Sequence, residues 1–224
     1  MNKRAINHLR KDIVMARLID RFGPIRHRGK RIPPFESLVR SIIHQQLSGQ
    51  AAGTILCRFE AVCGGRFPAP ETVLQTPTEL LRSAGLSRAK TAYILGIAEK
   101  AAAGKIPSLE EFDRMSDSEI VTQLTSIKGV GQWTAEMLLI FNLGRPDVLP
   151  LHDVGVRRGF QVAHGHQILP NPNLMARHGH KWGPYRTAAA LYLWRAADEP
   201  GLNIYKGEED NHRAIIDRSL KHGK

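Results

Sequence analysis

The sequence predicts an all-α fold. Nearly every long segment carries apolar residues at helical spacing, no stretch sustains the alternation of a half-buried strand, and proline clusters at "RIPPF", "RFPAPE" and "LPNPN" punctuate the helical runs. In "PPFESLVRSIIHQQLSG", Phe35, Leu38, Val39, Ile42 and Ile43 recur at i, i+3, i+4, i+7 and i+8, with Pro34 before the helix and Gly49 after it. That pattern makes one core-facing stripe. Ser87 is placed to cap "SRAKTAYILGIAEKAAAG", whose buried face is Ile94, Ile97, Ala98 and Ala101 and whose end is Gly104. Ser116 and Glu119 form a capping box ahead of Ile120, Val121 and Leu124. The next helix, Thr134 to about Phe141, is almost entirely apolar and must be buried on most sides. With no long Ser/Gly linker and no internal repeat, residues 1–224 read as a single functional unit.

Composition narrows the class of function. A chain of 224 residues, 42% hydrophobic and 24% charged, folds and holds a sizeable core, as one large domain or as two lobes sharing a cleft. Lys and Arg number 32 against 21 Asp and Glu, a formal charge of +11, which directs attention to a polyphosphate partner. Cys57 and Cys63 are too few for a disulfide framework, a four-cysteine zinc site or an iron-sulfur cluster, and fit a reducing cytosol. The opening "MNKRAINHLRKDIVMARLIDRFG" scatters charge and has no unbroken apolar run, unlike a signal peptide or a membrane span. A cytoplasmic protein is expected, associated with the nucleoid in a bacterium or with the nucleus in a eukaryote.

The stretch "IKGVGQWTA" carries the chemistry. Gly129 and Gly131 flank Val130 between two predicted helices; glycine there permits positive φ and a close backbone approach, and the helix that follows offers unpaired N–H groups to a phosphate oxygen. A tight turn with no ligand would use the same GxG. Leu124 and Ile127 before it, Ala135 and Leu138 after it, and Lys128 within it complete a helix-hairpin-helix pattern. Lys128 can add a contact to the same phosphate backbone. Asp153, in "PLHDVGVRRGF", stands where a helix begins after Pro150, a position that an ordinary capping aspartate also fills. The paired "HGH" motifs at His164, His166, His178 and His180 invite a metal reading, but solvated or phosphate-facing histidines suit their Pro-, Asn- and Arg-rich surroundings better.

The run "LTSIKGVGQWTAEMLLIF" followed by "DVLPLHDVGVRRGF" resembles the helix-hairpin-helix, Gly/Pro-rich loop and catalytic aspartate of the base-excision DNA glycosylase superfamily. Within it, "SIIHQQLSGQAAGTI", "GLSRAKTAYI" and "WGPYRTAAALYLWR" resemble the 3-methyladenine DNA glycosylase II family, in a compact form without the amino-terminal β domain of some relatives and without the iron-sulfur cysteines of others. The resemblance covers about Phe35 to Ala197. It implies a two-lobed fold, with a helical barrel over 35–145 that includes the hairpin, a second lobe from 1–34 plus 146–224 that carries the aspartate, and the active site in the cleft between them.

It further implies a monofunctional enzyme that flips alkylated purines, chiefly 3-methyladenine and 7-methylguanine, out of double-stranded DNA and hydrolyses them away, leaving an abasic site. Asp153 is then the catalytic carboxylate. Relatives that also cut the strand place a lysine where this chain has Trp133, and indole cannot form their Schiff base. Trp133 and Tyr185 would line the base pocket, Tyr185 by stacking on a cationic purine. Gln46 aligns with the family wedge, with Leu47 as the alternative, although both could simply finish an amphipathic helix. Lys128, Gly129, Val130, Gly131 and Thr134 would bind DNA phosphate. The family's hairpin cation, monovalent or divalent, would sit on the main-chain carbonyls of Thr125, Ile127 and Val130 and serve structure alone, so that the chemistry needs no cofactor. The enzyme is expected to work as a monomer. Two rivals stay open: a related glycosylase acting on deaminated or oxidised bases, and a DNA-damage-binding module without catalysis.

Overall fold

The computed structural model describes residues 3–199, 201, 202 and 204, and among these the backbone forms helices and no strand. In chain order the α-helices are α1 (Lys3–Leu9), α2 (Ile13–Phe22), α3 (Pro34–His44), α4 (Gly49–Val62), α5 (Pro70–Gln75), α6 (Thr78–Ser83), α7 (Arg88–Ala102), α8 (Leu109–Arg114), α9 (Asp117–Thr125), α10 (Gln132–Met137), α11 (Val154–His164), α12 (Pro172–Gly179) and α13 (Arg186–Asp198). A π-helical turn, Leu138–Leu143, continues α10, and a 3-10 turn, His180–Trp182, follows α12.

The all-α expectation holds, and the local signals act as their chemistry requires. Phe35, Leu38, Val39, Ile42 and Ile43 are all buried on α3. The Ser87 hydroxyl accepts from the Lys90 amide at 3.2 Å and opens α7, on which Ile94, Ile97 and Ala98 are buried and Ala101 half-buried. The Ser116 hydroxyl accepts from the Glu119 amide at 3.3 Å while the Glu119 carboxylate accepts from the Ser116 amide at 2.7 Å, closing the capping box of α9. Thr134 to Ile140 are buried without a break.

One boundary differs from the sequence expectation. The helix from Pro34 does not run to Gly49; it stops at His44, and Gly49 is the first residue of α4, capped by the Ser48 hydroxyl on the Ala51 amide at 3.3 Å. Between them, Gln46 takes the left-handed conformation at φ 58°, which breaks the helix without a glycine or proline to announce it. Leu47 therefore does not complete the apolar stripe; it is 39% exposed.

The described residues form two compact units, His27–Val148 and the residues up to Arg26 together with those from Leu149 onward. The expected lobe boundaries at 34/35 and 145/146 thus move outward. Residues 27–32 belong with the hairpin unit because they are bonded to its π-helical turn. The Lys30 and Arg31 amides donate to the carbonyls of Phe141 and Asn142 at 2.9 and 3.1 Å. Buried Asn142 accepts from the Ile32 amide at 2.9 Å and donates to the Ile32 carbonyl at 3.0 Å. Residues 1, 2, 200, 203 and 205–224 of the expected second lobe lie outside the described residues.

In the other unit, α2, α11, α12 and α13 enclose a core of Leu18, Phe160, Met175, Trp182, Tyr192 and Leu193. A carboxylate lies at its edge. Asp12 caps α2 through Oδ1, which accepts from the Val14 and Met15 amides at 2.9 and 3.3 Å. Its Oδ2 accepts from Trp182 Nε1 at 2.8 Å and lies 3.0 Å from Lys181 Nζ and 3.2 Å from His178 Nε2. Burial works to raise the Asp12 pKa, but the bonds from His178, Trp182 and Lys181 outweigh it and hold the carboxyl far below the usual carboxylate range.

His178 Nε2 also lies 3.1 Å from His164 Nε2, and His164 stacks on Phe160 with ring centres 3.8 Å apart. Burial pushes His164 down to about 3, so it is neutral at physiological pH. The expectation of solvated or phosphate-facing histidines fails for this pair, because the turn at Gly165 folds the motif back onto Phe160 and the interior. Among the described residues no group of three or more His, Cys, Asp or Glu side chains is placed to hold a metal.

Candidate active site and nucleic-acid interface

The hairpin consists of α9, the turn 126–131 and α10. Gly129 sits at φ 89°, and a Cβ there would overlap the ring of Tyr93, so both backbone and packing demand glycine. Gly131 differs. Its φ of −87° suits any residue, and a Cβ there would meet nothing within 4 Å. What Gly131 provides is open space beside the start of α10, a helix with no side-chain cap on its first amides. Val130 is buried, its amide donating to the Ile127 carbonyl at 3.0 Å, while Lys128 is exposed.

A groove of about 670 Å³ runs beside this turn, lined by Gln46, Thr125, Lys128, Gly129, Val130 and Gly131, and also by Gln45, Lys90 and Tyr93. Seven of the residues expected at the wedge, hairpin or cation site, Ile127 among them, therefore share one surface. Thr134 stands apart from them. It is buried, and its hydroxyl accepts from Gln45 Nε2 at 2.9 Å, so it supports the turn from inside and does not line the groove. Gln46 and Leu47 are both exposed, and Trp133 is half-buried at the start of α10.

Gln45, Lys90 and Tyr93 were not expected. Gln45 Nε2 donates to the Gly129 carbonyl at 3.1 Å as well as to Thr134. Lys90 Nζ donates to the carbonyls of Ile43 and Gln45, both at 2.8 Å, and so satisfies carbonyls at the carboxy end of α3. Burial lowers the Lys90 pKa. A lysine three residues past the Ser87 cap was the available signal, but nothing local pointed to its partners more than forty positions away.

In the other unit Asp153 is the N-cap of α11, as its position after Pro150 suggested. Its Oδ1 accepts from the Val156 amide at 2.7 Å and from Trp194 Nε1 at 2.9 Å. Trp194, which helical spacing alone would assign to the core, is half-buried, and its N–H fixes the carboxylate. Gly155 makes room for this pairing, since a Cβ there would stand 2.9 Å from Trp194 Cδ1 and 3.1 Å from Asp153 Oδ1. The start of α11 adds its amide dipoles to the indole N–H around the carboxylate. Tyr185 precedes α13, half-buried, with its ring edge-on to His8 at 5.4 Å between centres. Trp182, in contrast, is core.

A fixed carboxylate can stabilise positive charge that develops on a bound reactant or take a proton from water. A glycine turn beside an open groove can bind an oxyanion through its amides. Among the described residues no helix is long and apolar enough to cross a membrane.

A family model described as "HhH-GPD superfamily base excision DNA repair protein" matches residues 39–184. DNA-3-methyladenine glycosylase 1 of Schizosaccharomyces pombe is 39% identical over 184 residues, which is 82% of this chain and 80% of that one. Among solved structures, a Schizosaccharomyces pombe 3-methyladenine DNA glycosylase in complex with abasic DNA matches with a TM-score of 0.85 and 37% identity, covering 89% of this chain and 99% of the other. A Bacillus halodurans DNA-3-methyladenine glycosidase matches with a TM-score of 0.74 and 38% identity, covering 87% and 89% of the two chains.

Proposed function

The chain belongs to the HhH-GPD superfamily of base excision DNA repair proteins, and we propose that it is a monofunctional DNA glycosylase that excises alkylated purines from double-stranded DNA and leaves an abasic site. The observation that carries the reaction is the pinned carboxylate: Asp153 Oδ1 is held by the Val156 amide and the Trp194 indole. Breaking the N-glycosidic bond develops positive charge on the deoxyribose. A carboxylate already oriented before the reaction stabilises that charge without reorganising, and it can orient or deprotonate the attacking water. Alkylation at N3 or N7 makes the base a cationic leaving group, so little acid assistance is needed.

Each remaining part has a proposed role. Gly129 and Gly131 present main-chain amides to a phosphate beside Lys128, while the Val130 amide stays on the Ile127 carbonyl and Thr134 stays on Gln45, both shaping the turn from within. Gln46, with Leu47 beside it, fills the gap left by the flipped nucleotide. Trp133 and Tyr185 line the base pocket, Tyr185 by its aromatic face. Trp133 has no amine for a Schiff base, which supports hydrolysis without strand cleavage. A structural cation on the Thr125, Ile127 and Val130 carbonyls fits the turn: Thr125 ends α9, where carbonyls lack intrahelical donors, and Ile127 O, though it accepts from the Val130 amide, keeps a second lone pair. The enzyme acts where the genome lies, in the nucleoid or the nucleus.

Wild type and Asp153→Asn are incubated with methylated duplex DNA, the released bases are identified by mass spectrometry, and the strand is checked for nicks before and after hot alkali. Release of 3-methyladenine and 7-methylguanine by wild type alone, with nicks only after alkali, is expected. Failure to release them, with faster release of hypoxanthine, uracil or oxidised guanine, would move the enzyme to another lesion class. Release of no base at all would leave a binding module.

A further inference from the structure

The loop between α3 and α4 and the hairpin turn are joined by one side chain. Both hydrogens of the Gln45 carboxamide are used, one on the Gly129 carbonyl at 3.1 Å and one on the Thr134 hydroxyl at 2.9 Å. The main-chain carbonyl of the same residue accepts from Lys90 Nζ at 2.8 Å. Gln45 is thus fixed at its backbone by α7 and at its side chain by the hairpin.

The next residue is strained. Gln46 and Arg31 are the non-glycine residues with positive φ among the described residues, and such a conformation costs about 1–2 kcal/mol. It persists because its flanks are held: Lys90 grips the Gln45 carbonyl before it, and the Leu47 amide after it donates to the His44 carbonyl at 3.2 Å. On the other side of the Gln45 bridge, the Gly129 peptide is confined between the Tyr93 ring and the Gln45 amide. The exposed Gln46 side chain and the Gly129 and Gly131 amides therefore belong to one frame, with Gln45 as its cross-member.

We propose that Gln45 is a positioning residue that couples phosphate grip at the hairpin to base extrusion by Gln46. This rests on the glycosylase reading above. A phosphate seated on the turn fixes the Gly129 peptide, the Gly129 carbonyl fixes the Gln45 amide, and Gln45 fixes the backbone from which Gln46 enters the stack. Binding free energy gained at the backbone is thereby available for unstacking a base. Without Gln45 the protein still grips DNA, but grip no longer drives extrusion.

The test compares Gln45→Ala, Thr134→Val and wild type in three measurements: DNA affinity by anisotropy, extrusion by 2-aminopurine fluorescence on binding, and single-turnover excision of a methylated purine from a fully paired duplex and from a bulge in which the base is already unpaired. Loss of one half-buried, doubly bonded amide corresponds to about tenfold slower excision from paired duplex for Gln45→Ala, and about threefold for the nearly isosteric Thr134→Val. Excision from the bulge and affinity are expected to fall less than about threefold, and the 2-aminopurine signal to fall with the paired-duplex rate. Equal losses in paired and bulged DNA, or affinity and extrusion falling together, would make Gln45 a structural clip and overturn the proposal. Unchanged extrusion by folded variants would overturn it too. If Gln45→Ala fails to fold, Thr134→Val tests the same bond at nearly constant volume. If wild type excises nothing, the function reading fails, and the fluorescence and anisotropy still decide whether Gln45 couples grip to extrusion.

Discussion

The hairpin and the Asp153 cap aim polar groups at a ligand by opposite means. At the hairpin, the proposed ligand-binding groups are main-chain amides, and side chains from elsewhere in that unit hold them: the Tyr93 ring against Gly129 and the Gln45 amide on its carbonyl. At Asp153 the proposed reacting group is a side chain, and a main-chain amide with one indole holds it. A backbone group cannot be substituted away, so the hairpin is fragile where its shape is set. A carboxylate can be, so the second site is fragile in its chemistry and tolerant in its fold.

The largest effect expected from this contrast is at Asp153. Asparagine caps a helix as well as aspartate does, so Asp153→Asn should leave the melting temperature within about 3 °C of wild type. Removing the charge should slow single-turnover base release by at least about 100-fold. A large thermal shift with activity retained would reverse the comparison. Next is Gly129→Ala, for which urea denaturation should show a loss of about 2–3 kcal/mol from positive φ and overlap with Tyr93. Gly131→Ala should cost less than about 1 kcal/mol, and combining Gly129→Ala with Tyr93→Ala should recover the overlap part but not the φ part. Equal losses at the two glycines would show that the turn is not held from below.

Trp194→Phe tests the holder of the carboxylate, keeping the aromatic packing but deleting the N–H. A hydrogen bond to a charged acceptor is worth about 1.5 kcal/mol, so excision should slow roughly tenfold while DNA affinity stays within about twofold. The smallest effect concerns pH. His164 is pushed down to about 3 in the folded protein and regains its ordinary 6.5 on unfolding. The unfolded chain therefore takes the proton first, and the stability contributed is complete above about pH 6.5 and lost as pH falls toward 3. Between pH 7.5 and 5.5, wild type should lose about 1 kcal/mol more unfolding free energy than His164→Phe, as read by urea denaturation. Gly131→Ala, in the hairpin unit, should lose as much as wild type.

Much of the fold was legible because its signals are short. The Ser116–Glu119 box and the α3 stripe each declare themselves within a turn or two of helix. The polar supports of the site were not legible, because their partners are remote: Gln45 meets residues 84 and 89 positions away, and Trp194 meets Asp153 across 41. Physical reasoning on a tryptophan at helical spacing returns core packing, which is right for Trp182 and incomplete for Trp194. The two hairpin glycines looked equivalent on paper, yet only Gly129 is required by its backbone angle. The end of α3 was missed for the same reason in reverse, since a glutamine at positive φ leaves no mark in composition.

The bonding of residues 27–32 to the π-helical turn has a further consequence. The chain enters the unit His27–Val148 and leaves it at neighbouring points, fastened by a clasp between Ile32 and Asn142, 110 positions apart. Once that unit has folded, the two sequence segments that build the other core, ending at Arg26 and resuming at Leu149, behave as if joined by a short tether. Their effective concentration for each other rises without any contact between them. The clasp makes the hairpin unit a self-closing insertion, so that the core carrying Asp153 is built from two segments whose separation is set by the closed unit and not by the 122 residues of chain between them.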